Sequence, residues 1–516
     1  VSEFSVLGEI LGFSGLNTEI GRTLLPEEGS PIWLEDGNNI IIRNGLVEKI
    51  RGTDYLNGIT TQQGIEDFRS ILALPIFEKY STDDKFLMAV TPKRLYVLIN
   101  NDEWDEIGTI ADGKNDSILT HANAYNMFIF TLSDSGILYS WDGTNETGFY
   151  ELGLAAQDVT TLKARFIEDW DTFLVLARTL ETVDDEETEY YQRLWISDPG
   201  NITNFRSINK IDIAVEGKIV GIKSMQDTIV VYFPRGIYRV YYNDTMGYLP
   251  QLVTDRQGLL CPGTLCGNKD VHYFISQEGL MQMVRDGVPT SISDGKFNNL
   301  IMDEMDPIYY YRATAFLFPH LNQLFLCYPK SGSSFNNVQI IYDVSRNELI
   351  SKKELVAENY SCYGEFEKDL STLSPDERKA YGLSFIPIFG NKDGYIKEQK
   401  IVAYTDGVSN YESNILFPPT FWKDKTRNKR VLAADLLIEK MTDETITFSL
   451  DLASELNQSF SFQYSITGNG NAGIRRYSIP IDCFGKEFTV RLRDTNNCYG
   501  WRCHGCLFYG WLRGRK

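Results

Sequence analysis

Apolar and polar residues alternate along most of this chain in short runs, and Asp-Gly, Asn-Gly and Ser-Gly pairs separate the runs. A period of two puts successive side chains on opposite faces of a strand, and such pairs favour tight turns, so the pattern predicts sheet throughout. Helical spacing is confined to 65–72, 296–305 and 374–380. In the last of these Ser374 can cap, Pro375 fits the first turn, and Asp376 and Glu377 suit the positive end of the helix dipole.

The strand pattern repeats. A strand, a turn and a second strand carrying an aliphatic–aromatic or similar pair recur at Leu95-Tyr96, Leu138-Tyr139, Leu194-Trp195, Ile237-Tyr238 and Leu280-Met281. Weaker members follow at Ile340-Ile341-Tyr342 and Tyr395-Ile396. The spacing is about 43 residues, with one interval of about 56, and a period of that length holding about four strands is that of a β-propeller blade. The longer interval contains the acidic stretch from Glu181 to Glu189, read here as a solvated loop. A four-stranded blade cannot cover its own two faces, so blades stack and bury each other's aromatics.

The fold class expected is therefore all-β. A β-propeller-like repeat domain of six or seven blades, which need not be regular, is expected over 60–415. Residues 1–59 have mixed polarity and few strong strands, and read as an extended N-terminal arm that must pack on something else. Residues 416–516 open with Pro418-Pro419 and the basic run Lys423, Lys425, Arg427, Lys429 and Arg430. Alternating strands at 431–439, 445–453, 460–467, 476–481 and 487–493 then predict a separate C-terminal antiparallel β-sandwich.

Composition agrees with a folded sheet protein. Of 516 residues, 43% are hydrophobic and 23% charged, with 29 Phe and 29 Tyr, residue types that suit half-buried pleated surfaces. The net charge of −20 disfavours sequence-independent adhesion to nucleic acid or anionic membrane. It serves solubility, or it lines a surface past which DNA slides without sticking. The longest apolar runs are strand-sized, so no membrane span is expected. The first basic residue, Arg22, follows Glu3, Glu9 and Glu19, which is not a signal-peptide pattern. With eight scattered cysteines, the expectation is a reduced chain made in a cytoplasm.

Catalytic signatures are absent. Four histidines, His121, His272, His320 and His504, lie far apart among strand-like residues, where a structural or surface role is the ordinary reading. There is no nucleophile elbow, phosphate loop, zinc-protease helix or dinucleotide fingerprint. The stretch from Ser133 to Trp141 approaches the Asp-box of sialidase propellers, but its Asp is one place early and it does not recur. No catalytic, cofactor-binding or metal-binding residue is assigned, and no cofactor. Cys483, Cys498, Cys503 and Cys506, with His504, offer thiolates and an imidazole of the type zinc takes, but one Cys-x-x-Cys without a second pair is a weak signal. Buried structural thiols are the expectation. The basic run at 423–430 alternates with Asp424 and Asn428 and suits a linker or a salt-bridged subunit contact better than a phosphate site.

Two stretches resemble a known family. One is Trp33 followed by Asn39-Ile40-Ile41-Ile42-Arg43-Asn44-Gly45-Leu46-Val47-Glu48-Lys49-Ile50-Arg51-Gly52. The other is Leu194-Trp195-Ile196-Ser197-Asp198-Pro199-Gly200-Asn201-Ile202-Thr203-Asn204-Phe205. With the strand pattern ending near Trp501 and Gly510, they resemble the tail hub or nozzle proteins of short-tailed bacteriophages. The resemblance implies a virion structural protein of the tail, not an enzyme, assembled as a homo-oligomeric ring, commonly a hexamer, below the portal and adaptor proteins. It implies contacts with tail fibre or spike and tail-tip proteins. Genomic DNA would pass through the lumen without specific binding during ejection. Two other readings share the fold: a propeller scaffold or lectin recognising a protein or glycan, and a glycan-cleaving propeller enzyme, which would need two facing carboxylates in a pocket.

The cysteine reading is directly testable. Protein purified without chelator should carry far less than one zinc per chain by elemental analysis. Near-stoichiometric zinc, lost together with the folding of residues 416–516, would overturn it.

Overall fold

The computed structural model describes residues 4–18, 32–56, 71–82, 84–99, 103–111, 113–114, 116–144, 148–355, 359–367, 371, 375, 384–399, 405–406, 409–420, 427–441, 445–467, 473–495 and 499–513. The fold is all-β. Four-stranded antiparallel units follow one another along the chain at 76–109, 119–151, 161–212, 221–254, 266–291, 314–354 and 360–399, here units one to seven. Unit seven takes only three strands from its own stretch. Its fourth is Thr53–Tyr55, paired antiparallel with Ile396–Gln399.

Each unit shares an apolar core with the next. Phe77, Val97 and Trp141 pack between units one and two, Leu138, Leu176 and Trp195 between two and three, and Val175, Val231 and Phe233 between three and four. Tyr232, Phe274 and Met281 join four to five, Tyr273, Leu326 and Ile340 join five to six, and Phe325, Tyr363 and Phe389 join six to seven. The seventh core joins Ile388 and Phe366 of unit seven to Ala89 and Leu98 of unit one, so the series of contacts closes on itself. The closing seam is tight: a Cβ at Gly364 would lie 2.7 Å from the Leu74 carbonyl oxygen, closer than any side chain tolerates.

The C-terminal region forms two sheets around one core. The first runs Asp36–Asn38, Ser413–Thr420, Phe488–Asp494, Ile446–Ser454, Ser459–Ile466. The second runs Ile40–Arg43, Leu46–Lys49, Trp501–Arg513, Asn428–Lys440, Arg475–Gly485, and Phe4–Leu11 also pairs with Trp501–Arg513. Period-two alternation buries Ile446, Phe448, Leu450 and Leu452 of one sheet against Leu436, Ile438 and Phe508 of the other. Val431 and Ala434 both reach this core despite their odd spacing, because a bulge between Val431 and Ala433 shifts the register.

Several expectations are corrected here. Residues 1–59, read as an extended arm that must pack on something else, lie within sheets in their described part. Short apolar strands with unsatisfied edges bury best inside existing sheets, and theirs join both C-terminal sheets and unit seven. The C-terminal sheets are not an appended domain either. Ser351 and Lys352 of unit six pair with Ile41 and Ile40, so unit six continues without a break into the second sheet. The boundary expected at 415/416 falls within the strand Ser413–Thr420. Residues 296–305 yield only the short helix Asn298–Met302. The other two helix candidates lie largely outside the described residues, and Ile71 and Leu72 are not helical.

The acidic stretch at 181–189 is a hairpin rather than a loop. Phe173–Val183 pairs with Glu186–Ile196 across Asp184 and Asp185, whose φ values of 51° and 66° make the tight turn that a two-residue hairpin requires. Glu181, 3% exposed, is held by Thr179 Oγ1 (2.8 Å), Trp195 Nε1 (2.8 Å) and Arg193 (2.9 Å). Arg193 in turn grips Asp212 through two bonds of 2.7 and 2.8 Å.

A buried ion pair joins the two C-terminal sheets. Lys49 Nζ lies 2.7 Å from Asp494 Oδ2, with both side chains fully buried. Lys49 also donates to the Tyr411 carbonyl (2.8 Å), and Asp494 accepts from the Ser413 N–H (2.6 Å) and Trp501 Nε1 (2.8 Å). Removing one partner strands the other charge in an apolar interior, at a cost of about 3–5 kcal/mol. Lys49→Met should therefore lower the urea midpoint strongly, and Lys49→Met with Asp494→Leu should recover a large part of the loss. Equal midpoints for wild type and Lys49→Met would overturn this account.

Candidate functional site

The first strands of the units face one another. The Ile167 N–H of unit three donates to Thr120 Oγ1 of unit two (2.9 Å), and Asn123 Nδ2 of unit two donates to the Ile76 carbonyl of unit one (3.1 Å). Glu168 of unit three accepts from the Ser224 N–H (2.9 Å) and Oγ (2.8 Å) of unit four. Ser361 Oγ of unit seven donates to the Ile71 carbonyl before unit one (2.6 Å). Polar side chains of these strands thus link each unit to the next.

A cavity of about 570 Å³ is lined by the segments leading into units one, two, five, six and seven and by turns within units six and seven. Arg312, before unit six, pairs with Asp116, before unit two: Nη2 donates to Oδ2 at 2.9 Å, and Nε lies 2.8 Å from Oδ1. Units six and two are not neighbours, so the pair bridges the space. The Arg312 guanidinium is pinned over Tyr309 and Phe335, both 5.0 Å from the ring centroid, and Asp116 and Tyr311 hold its pKa above the ordinary value against the effect of burial. Lys392 lies 2.7 Å from Asp393 and 5.0 Å from the Phe335 ring. Asn336, 3% exposed, donates through Nδ2 to the carbonyls of Arg312 (2.8 Å) and Tyr360 (2.9 Å).

The histidines singled out in the sequence are scattered. His272 is fully buried, with Nδ1 2.7 Å from the Tyr232 hydroxyl and Nε2 3.0 Å from the Ser224 carbonyl. The proximity of Glu168, Ser224 and His272 does not make a nucleophile relay, because His272 meets the backbone of Ser224 and not its hydroxyl. Burial of Glu168 raises its pKa, opposed by Lys223 and the Ser224 donors. His121 is exposed on the first strand of unit two, with its ring 5.5 Å from Phe128. His320 stacks on Phe385 at 3.9 Å and lies 2.8 Å from Glu365, while His504 lies 3.3 Å from Glu439.

Cys503 and Cys506 both point into the C-terminal core, because His504 is the extra residue of a bulge that flips the alternation between them. A hydrogen bond with Cys503, and then burial, raise the pKa of the Cys506 thiol, and burial raises that of Cys483, which suits inert core residues. Cys498 lies outside the described residues, and among those described no group of three or more His, Cys, Asp or Glu side chains is placed to hold a metal ion.

Of the basic run, Lys423 and Lys425 lie outside the described residues. Arg430 pairs with Asp482 through two bonds of 2.7 and 2.6 Å, and Lys429 is buried against the carbonyls of Arg427 and Lys486. The Ser197–Phe205 stretch closes a turn. Asp198 accepts from Asn204 Nδ2 (2.6 Å) and Arg206 Nε (2.5 Å), and Gly200 takes a φ of 75°. None of the cavity residues was legible as a site in the sequence. Among the described residues, no helix is long and apolar enough to cross a membrane.

No protein-family model and no curated protein matches this chain. Among solved structures, that of Saccharomyces cerevisiae Sqt1 is similar over 61% of this chain and 81% of its own, at 11% identity and a TM-score of 0.36. A likeness of that size carries no argument about activity or partners.

The axial polar contacts make a pH prediction. Burial, then Lys223, hold the His272 pKa down to about 3, against an unfolded value near 6.5. The unfolded chain therefore binds the extra proton between these limits. The stability this neutral imidazole contributes is whole above about pH 6.5 and is lost as pH falls toward 3. Between pH 7 and 4 the loss should be about 3 kcal/mol. Urea midpoints of wild type and His272→Gln should converge by about that amount on acidification, and parallel pH profiles would refute the assignment.

Proposed function

We propose that the units form a seven-bladed β-propeller fused to a β-sandwich, and that the chain is a structural subunit of a phage tail hub or nozzle ring. Seven successive four-stranded units, each sharing a core with the next and the last with the first, support the propeller. The strand Thr53–Tyr55, contributed from the other end of the chain, completes the last blade.

The observation that carries the structural reading is the fused sheet. Blade six runs through Ile40–Arg43 and Leu46–Lys49 into the sandwich, whose two sheets are tied together by Lys49 and Asp494. Two bodies sharing a sheet move as one, which suits the wall of a load-bearing conduit and not a hinged enzyme. The resemblance of residues 39–52 and 194–205 to tail hub proteins points the same way. In this reading the chain meets portal and adaptor proteins, tail fibres or spikes and further copies of itself. It resides in the virion tail after synthesis in the host cytoplasm.

The DNA route in such a ring runs between subunits. The propeller axis holds a cavity of about 570 Å³ bridged by Arg312 and Asp116, which admits no duplex. The cavity carboxylates Asp116 and Asp393 are each tied to a cation, an arrangement unlike the acid and nucleophile of a glycosidase.

Heterologous contacts whose rotation closes give a ring of defined subunit number. Native mass spectrometry of the recombinant chain, alone and mixed with portal and adaptor proteins, should show a closed oligomer, six copies being expected. A chain that stays monomeric and never joins that assembly would remove the proposal.

A further inference from the structure

We propose that the strand Ser459–Ile466 pairs, across its open edge, with the same strand of a second copy of this chain about a two-fold axis. Ser459–Ile466 ends the first C-terminal sheet. One edge is paired with Ile446–Ser454, from Ile446 opposite Ile466 to Ala453 opposite Ser459, and no described strand meets the other edge. The opposite end of that sheet is Asp36–Asn38, which packs beside Glu348–Glu354 of unit six. Unpaired backbone N–H and C=O groups along an edge are a template for a further strand.

Other long edges of the molecule are blocked. Arg475–Gly485, the last strand of the second C-terminal sheet, carries Pro480 with Arg475, Arg476 and Asp482. Gly247–Thr254 of unit four carries Pro250, and Glu103–Thr109 of unit one carries Glu103, Asp105 and Glu106. Proline removes a donor, and charge opposes close approach. Ser459–Ile466 has neither, and no Pro, Asp, Glu, Lys or Arg occurs from 456 to 474. In a chain of net charge −20, two copies meet there without repulsion. The inner face of the strand is also incompletely covered. Phe448, Leu450 and Leu452 on the neighbouring strand are at most 1% exposed, whereas Phe460, Phe462 and Tyr464 opposite them are only partly buried. A strand added at the edge would cover these three rings.

The pattern of the edge fits its own copy. Opposed residues of two identical antiparallel strands have numbers of constant sum, and outward backbone groups, which recur at alternate residues, meet only when that sum is even. An even sum also keeps like faces together. With the axis at Phe462, Phe462 meets its copy, Phe460 meets Tyr464 and Ser461 meets Gln463, so aromatic opposes aromatic and polar opposes polar. The two sheets become one continuous sheet with their cores in line. A two-fold contact is isologous and differs from the head-to-tail contact of a ring, so it is separate from ring assembly and stands without it.

Sedimentation equilibrium of the full chain, run as a concentration series, should give twice the mass of a Ser461→Lys, Gln463→Lys double variant, whether as dimer against monomer or as paired against single rings. That variant opposes like charges twice across the axis and should raise the dissociation constant of the pair about tenfold. Both side chains are exposed, and the bond lost from Ser461 Oγ to Asp451 (2.5 Å) is at the surface, so the far-ultraviolet circular dichroism should not change. A Ser461→Glu, Gln463→Glu chain should be as weak alone, and a one-to-one mixture of the two variants should restore the pair. Equal masses for wild type and the Lys variant overturn the proposal, as does a mixture that fails to recover. An unpaired wild type that binds adaptor or fibre protein, with binding lost in the Lys variant, overturns it in favour of another chain's strand. The ring reading fails separately, through paired copies that never join portal and adaptor.

Discussion

A sheet of four short strands has two faces and too little chain to cover either, and that constraint governs this molecule. Each unit can be dried only by the units before and after it, so the series has no stable end until the last sheet meets the first. Here the meeting is made by Ile388 and Phe366 against Ala89 and Leu98, with Gly364 allowing the backbones to approach. Its completion depends on Thr53–Tyr55, a strand made long before the rest of unit seven. A chain lacking that strand would leave the outer edge of Ile396–Gln399 unpaired.

The same closure explains where the polar groups lie. First strands that converge on an axis cannot all present apolar faces to one another, and polar side chains there reach across to the next unit. Asn123, Thr120, Ser224 and Ser361 each make such a link. Where burial is complete, the groups are held neutral or paired. His272 stays unprotonated between Tyr232 and Ser224, Glu181 is surrounded by three donors, and Lys49 and Asp494 face each other between the two C-terminal sheets. These contacts set register and angle between parts that hydrophobic burial alone would hold less specifically.

Function follows from the rigidity of that construction. Unit six continues into the second C-terminal sheet without a break, which leaves no hinge between them. The axis, closed by Arg312 and Asp116, becomes a shallow polar site and not a passage.

The all-β class was determined by the sequence itself. Alternation fixes which face each side chain takes, turn residues such as Asp184 and Asp185 end strands locally, and the recurring pairs at Leu95-Tyr96, Leu138-Tyr139 and Ile237-Tyr238 mark equivalent strands in successive units. What alternation does not encode is the partner across the hydrogen-bonding edge, because one strand's N–H and C=O groups look like another's. The placement of Thr53–Tyr55 in unit seven, the joining of Ile40–Ile41 to unit six and the burial of Glu181 inside an acidic stretch were therefore decided only by tertiary structure. The cavity was decided the same way. Asp116, Arg312 and Asn336 are ordinary residues in ordinary turns, separated by long stretches of chain, and they acquire a shared chemistry only when closure brings the lead-ins of distant units to one axis.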